Sequence, residues 1–160
     1  MKVKTGIGQD SHRFDFDNKE KDLVLGGVII PDSPPLKGNS DADVILHAVT
    51  NAVSGITGIN ILGKIADDLC LKQGISDSSV FLKEALKHLN DYSITHVSIS
   101  VECLKPKLSP HIDKIKKSIS DILSLTTDDI GLTATTGEGL TEFGRGNGIQ
   151  VFSVVTAISD

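Results

Sequence analysis

The sequence has no tryptophan, and only 4% of its residues are aromatic. Stacking platforms for bases or sugar rings need aromatic faces, so readings built on them are set aside. Dense positive charge is also missing: 16 Lys and Arg stand against 21 Asp and Glu, for a net charge of −5. The nearest basic cluster is Lys114, Lys116 and Lys117, on a predicted helix where it reads as a solvated face. Nucleic acid is therefore not an expected partner. Cysteines number only two, Cys70 and Cys103, without CxxC spacing, which argues against a disulfide framework and for a reducing compartment. No stretch approaches the roughly 18 apolar residues of a membrane span. Met1-Lys2-Val3-Lys4 leads straight into a strand pattern without the apolar core of a signal peptide. The expectation is a cytoplasmic protein that neither crosses nor anchors to a membrane.

What is present suits one domain over residues 1–160: 160 residues, 39% of them apolar, are enough for a real core. Val3 to Gln9 reads as a strand ending at Asp10. Leu23 to Ile30 is an apolar run broken by Gly26-Gly27 and reads as a strand with a turn or bulge. A helix is expected from Ser40, with Ser40 as cap and Asp43 as the partner of a capping box. Its apolar positions Val44, Ile45, Ala48, Val49, Ala52, Val53 and Ile56 recur at helical spacing, and Asp43, His47 and Asn51 form a polar stripe. Residues 57 to 77 read as irregular, Ser78 to Leu89 as a helix, and Thr95 to Glu102 as a half-buried strand. Ser109-Pro110 opens a third helix with Ile112, Ile115, Ile119 and Ile122 inward. Strands follow near Ile130–Ala134 and Ile149–Ile158, separated by a glycine-rich segment. This order predicts an α/β (α+β) sandwich: a mixed four-stranded sheet with helices on one face. The other face would need covering, which points to a homo-oligomer.

Four groups of residues could carry chemistry. Asp10 and His12, at i and i+2 of an extended chain, point to the same side. With His47 they make an Asp/His/His set of the kind zinc accepts while keeping a fourth position open. Asn39-Ser40 precedes a helix N-terminus, which suits a phosphate, although Asp41 and Asp43 fit a plain cap equally well. Thr135-Thr136-Gly137-Glu138-Gly139 and Gly144-Arg145-Gly146-Asn147-Gly148 offer hydroxyls, amides and a guanidinium to phosphate oxygens. Glu138 could hold a hard cation, although a glycine-rich loop is more often just a hairpin connection. Lys105-Pro106-Lys107 is a stiff loop with two cations.

In order along the chain, GQDSHRF, NSDADVILHA, Asp77-Ser78, KPKLSPHI and ATTGEGLTEFGRGNGI resemble the 2-C-methyl-D-erythritol 2,4-cyclodiphosphate synthase family of the non-mevalonate isoprenoid pathway. The resemblance implies a homotrimer with active sites between subunits. It implies zinc on Asp10, His12 and His47, and Mg²⁺ or Mn²⁺ on Glu138. Asn39 and Thr136 would take the transition-state positions. Asn39, Ser40, Ile61, Leu62, Gly63, Asp68, Cys103, Pro106, Lys107, Leu108, Ser109, Thr135, Thr136, Gly137, Glu138 and Arg145 would line the substrate pocket. A central trimer cavity would take an isoprenoid diphosphate near Arg145. The implied reaction closes 4-diphosphocytidyl-2-C-methyl-D-erythritol 2-phosphate to the cyclic diphosphate and releases CMP. Four positions depart from the family pattern. Asn39 replaces a usual histidine, Ile61 and Asn51 each a usual aspartate, and Glu142 a usual aromatic. Asn39 and Ile61 motivate a second reading, a trimeric zinc-containing isoprenoid-diphosphate-binding protein without turnover. The same ligands would also serve a zinc-dependent phosphohydrolase.

Overall fold

The first strand, β1 (Lys2–Arg13), runs past the predicted end at Gln9 and carries Asp10 and His12 inside it. It does so because the last strand, β6 (Gly148–Ser159), pairs with it throughout, from Lys2 opposite Ser159 to Arg13 opposite Gly148. Ladder hydrogen bonds hold extended backbone through a polar stretch that side-chain alternation alone would not mark. The computed structural model describes residues 1–160. On the far side of β6 lies antiparallel β4 (Ser93–Glu102), and β5 (Ile130–Thr135) runs parallel to β4 at the edge, giving the order β1-β6-β4-β5. A parallel pair cannot be joined by a tight hairpin, and α4 (Ile112–Leu123) makes the crossover.

Leu23 to Ile30 turns at Gly26-Gly27, one of the two forms expected there, and makes a hairpin of β2 (Leu23–Leu25) and β3 (Val28–Ile30) with its own two-stranded sheet. Its turn residues Gly26 and Gly27 have φ of 60° and 78°, the left-handed pair that suits the twist of two short strands.

The helices cover one face of the sheet. The longest, α1 (Val44–Thr57), packs on β1 and β6, and α3 (Ser78–Leu86) packs on α1. On the covered face β1 presents glycine twice. A Cβ on Gly8 would strike the Ala48 carbonyl oxygen and the Ala52 nitrogen, and one on Gly6 the Ala52 carbonyl oxygen. Helix backbone therefore rests directly on strand backbone. The uncovered face shows Ile7, Phe152 and Val154 at 69%, 45% and 37% exposure. Residues 57 to 77 are more ordered than predicted, with a one-turn α2 (Lys64–Asp67) and a wider π-helical turn at Asp68–Lys72. No helix is long and apolar enough to cross a membrane.

The start of α1 corrects the expected capping box. Asp43, not Ser40, is the cap, and it accepts from Leu46 N at 3.0 Å. Ser40 Oγ instead accepts from Ala42 N. The cap moves because Asp43 has a second task. Its carboxylate also takes the Gly26 and Gly27 N–H groups at 2.8 and 2.6 Å, so it ties the hairpin turn to the helix. Asp43 is wholly buried, and burial pushes its carboxyl up to about 6 against the downward pull of those N–H groups. The folded value lies above the unfolded one, so this group's contribution to stability falls as the pH rises from about 4 through 6. Asp43→Ala leaves the buried donors unsatisfied. It is expected to cost about 3 kcal/mol and to remove that pH slope, as urea titrations across the range would measure.

Candidate active site

Asp10 and His12 leave β1 on the covered side, and the Gly8–Ala48 approach brings α1 close enough for His47 to join them. Asp10 Oδ2 lies 3.0 Å from His12 Nε2 and 2.9 Å from His47 Nδ1. One ligand atom from each residue falls within a 4.8 Å group. Burial alone would raise the Asp10 carboxyl, but the two imidazoles outweigh it when protonated, donating to the carboxylate and holding it at about 2. Burial lowers and Asp10 raises the His12 imidazole, and the net shift is upward.

The outer nitrogens decide what this cluster wants. His12 Nδ1 faces the Lys37 carbonyl oxygen at 2.6 Å, which only accepts, so this nitrogen carries a proton. His47 Nε2 lies 2.9 Å from Ser78 Oγ. With the outer positions engaged, neutral imidazoles turn bare lone pairs inward, toward a carboxylate oxygen that has only lone pairs itself. Three acceptors converging on one point need a positive charge between them. The residues therefore fit a divalent ion, and nitrogen-plus-carboxylate donors suit zinc.

A cavity of about 270 Å³ opens beside the cluster. Of the residues singled out in the sequence, Asn39, Ser40, Leu62 and Gly63 line it with Asp10, His12 and His47. Ile61 does not: it is wholly buried, so its side chain is spent on the core and offers nothing to a ligand. Asp68 also faces elsewhere, paired with Lys72 at 2.7 Å. Asp67 and Cys70 line the cavity instead. No sequence signal separates Asp67 from Asp68, because the passage from α2 into the π-helical turn sets which one points inward. Lys21 carries no motif that marks it in the sequence, yet the fold gives it a part. Its Nζ donates to the Leu36 and Gly38 carbonyls at 3.0 and 3.3 Å, and so holds the segment that presents Lys37 to His12.

A second cleft, about 460 Å³, is lined by Cys103, Pro106, Lys107, Leu108, Ser109, Thr135 and Thr136 among others, and shares no residue with the first. Desolvation pushes the buried Cys103 thiol up to about 11, which favours the protonated form. Beside this cleft Gly137 and Glu138 turn with φ of 73° and 50°. A Cβ on Gly137 would collide with the Glu102 carboxylate, which accepts from the Thr141 hydroxyl. Glu138 is exposed and is not engaged by the hydrogen bonds or ion pairs around it, leaving its carboxylate free for a hard cation. Arg145 lies in a neighbouring groove with Phe14, Phe16 and Lys105, its guanidinium bonded to Glu142 at 2.7 Å.

Comparisons with known proteins place the chain in a family. The model of the YgbB family matches residues 3–158. A 2-C-methyl-D-erythritol 2,4-cyclodiphosphate synthase of Chlamydia caviae is 46% identical over 154 residues, 96% of this chain and 88% of that protein. The crystal structure of a protein of the same name from Plasmodium vivax superposes with a TM-score of 0.83 at 28% identity, covering 99% of both chains. A CDP-bound structure of such a synthase gives a TM-score of 0.85 at 30% identity, covering 97% of this chain and all of the other.

Proposed function

Because the chain belongs to the YgbB family, with 2-C-methyl-D-erythritol 2,4-cyclodiphosphate synthases as its relatives, we infer that the Asp10–His12–His47 cluster is a zinc centre and the organising element of its active site. The chain converts 4-diphosphocytidyl-2-C-methyl-D-erythritol 2-phosphate to 2-C-methyl-D-erythritol 2,4-cyclodiphosphate and CMP, in the non-mevalonate route to isoprenoids. The observation that carries the zinc assignment is the convergence of three lone pairs with both outer imidazole nitrogens already engaged. Zinc bound there supplies Lewis-acid polarisation of a phosphate oxygen.

The remaining work falls to the chain. An oxygen of the 2-phosphate attacks the β-phosphorus and forms the new P–O–P link, while the bond from that phosphorus to the bridging oxygen breaks and CMP leaves with the electron pair. The nucleophile is already an anion, so no general base is needed, and positioning with charge neutralisation carries the rate. Asn39 at the rim of the first cavity and Thr136 in the second cleft are the donors assigned to the developing charge. Ser40, Leu62 and Gly63 hold the erythritol end, and the Cys103–Ser109 loop with Thr135 holds the cytidine end. Glu138 would take Mg²⁺ or Mn²⁺, which offsets diphosphate charge.

The two clefts of one chain share no lining residue, and the uncovered sheet face carries Ile7, Phe152 and Val154. Both observations support a homotrimer, in which the second cleft of one subunit completes the first cavity of another and the apolar faces enclose a central cavity for an isoprenoid diphosphate.

³¹P NMR of the protein incubated with Zn²⁺, Mg²⁺ and the substrate tests the reading. Cyclic diphosphate with CMP supports the synthase, and a linear product would point to a phosphohydrolase. No turnover by a folded, zinc-loaded protein would leave a binding protein. Asn39→Ala is expected to lower kcat by about 100-fold, the order seen for one lost transition-state donor. An unchanged kcat in single-turnover assays would remove Asn39 from the catalytic set.

A further inference from the structure

Asp77 caps α3, but the residue after it has another part. Ser78 is wholly buried, and its Oγ sits between His47 Nε2, at 2.9 Å, and Asp41 Oδ1, to which it donates. Asp41 collects further donors: Ser78 N on Oδ2 at 3.0 Å and Asp43 N on Oδ1 at 3.1 Å. Counting hydrogens fixes the direction of the chain. A serine hydroxyl has one hydrogen, and an ionised carboxylate has none to give. With that hydrogen on Asp41, the serine oxygen shows only lone pairs to His47. The ring nitrogen facing it must therefore carry the proton, which in the neutral imidazole leaves Nδ1 bare on the Asp10 side.

We propose that Asp41 and Ser78 are positioning residues that set the Nε2–H tautomer of His47 and so present Nδ1 to the metal. This rests on the zinc reading above. The two histidines are held differently. The tautomer of His12 is set by a main-chain carbonyl, that of Lys37, which no side-chain substitution removes. Only His47 depends on a side chain, and that side chain comes from a separate helix. Asp41 N also donates to Ser76 O at 2.9 Å, so the contact that orients the ring also fastens the approach to α3 onto the entry to α1.

Long-range ¹H–¹⁵N NMR of the metal-free protein, above the imidazole titration range, reads the tautomer directly, and competition against a chelating dye reads zinc affinity. Wild type should show His47 protonated on Nε2. Ser78→Ala should give a mixture of tautomers and weaken zinc binding by about 10- to 100-fold, as for lost outer partners of metal-bound histidines. Ser78→Thr, which keeps the hydroxyl, should restore both. A Ser78→Ala protein that keeps the wild-type tautomer overturns the proposal, whether or not its zinc affinity falls. If wild type binds no zinc, the zinc reading fails, while the tautomer spectra still decide the role of Ser78.

Discussion

His47→Ala is expected to lose stoichiometric zinc and, with it, turnover. In the proposed zinc centre His47 would supply one of only three protein ligands, and catalytic zinc sites retain the ion with no more than that number. Loss of a mere outer partner costs about 10- to 100-fold in affinity, so removal of a ligand should exceed that range. The substitution also strips Ser78 Oγ of a partner 2.9 Å away. Zinc per chain, measured after dialysis and alongside far-ultraviolet circular dichroism, checks the prediction. His12→Ala should behave in the same way and, being nearer the surface, with less effect on folding. Full zinc content in both folded variants would sink the metal assignment.

Gly8→Ala should be the most damaging small substitution in the chain, at about 3 kcal/mol or more. The added methyl meets Ala48 carbonyl oxygen and Ala52 nitrogen, which are helix backbone and cannot swing aside as a flexible side chain would. The helix must lift from the strand, and His47 lifts with it, away from Asp10. Stability and zinc affinity should therefore fall together. Gly55→Ala provides the contrast. It lies in the same interface, but its nearest neighbour would be Gly6 Cα at 3.5 Å, an ordinary contact. There alanine also improves helix propensity, by up to about 1 kcal/mol. Urea denaturation of the two variants should thus move in opposite directions. If Gly8→Ala proves as stable as wild type, the direct backbone packing described here is wrong.

Much of this was legible in the sequence because it rests on local periodicity. The apolar spacing from Val44 to Ile56 found α1, the alternation of Val97, Ile99 and Val101 found β4, and Asp10-x-His12 on an extended chain placed two members of the cluster on one side. What the sequence could not show depends on partners far along the chain. The extension of β1 to Arg13 is set by β6, about 140 residues away, and the displaced cap at Asp43 is set by the Gly26-Gly27 turn. Ile61 reads as a pocket position but is buried, and Asp67 rather than Asp68 faces the cavity, because the path through α2 is decided by packing. The lysine that steadies the Leu36–Gly38 segment looked like any other charge in a loop.

The bare contact between β1 and α1 has a thermodynamic consequence. In the proposed centre two donors would ride on the strand and the third on the helix, so ion binding would act as a rivet through the seam. Without the ion, like dipoles meet there and push the layers apart. Linkage then requires that whatever tightens the seam tightens ion binding, and that the ion adds to the melting temperature according to its free concentration. Chelation should accordingly loosen the amides of the first turns of α1 and the end of β1 before the rest of the sheet, an order that hydrogen exchange would record.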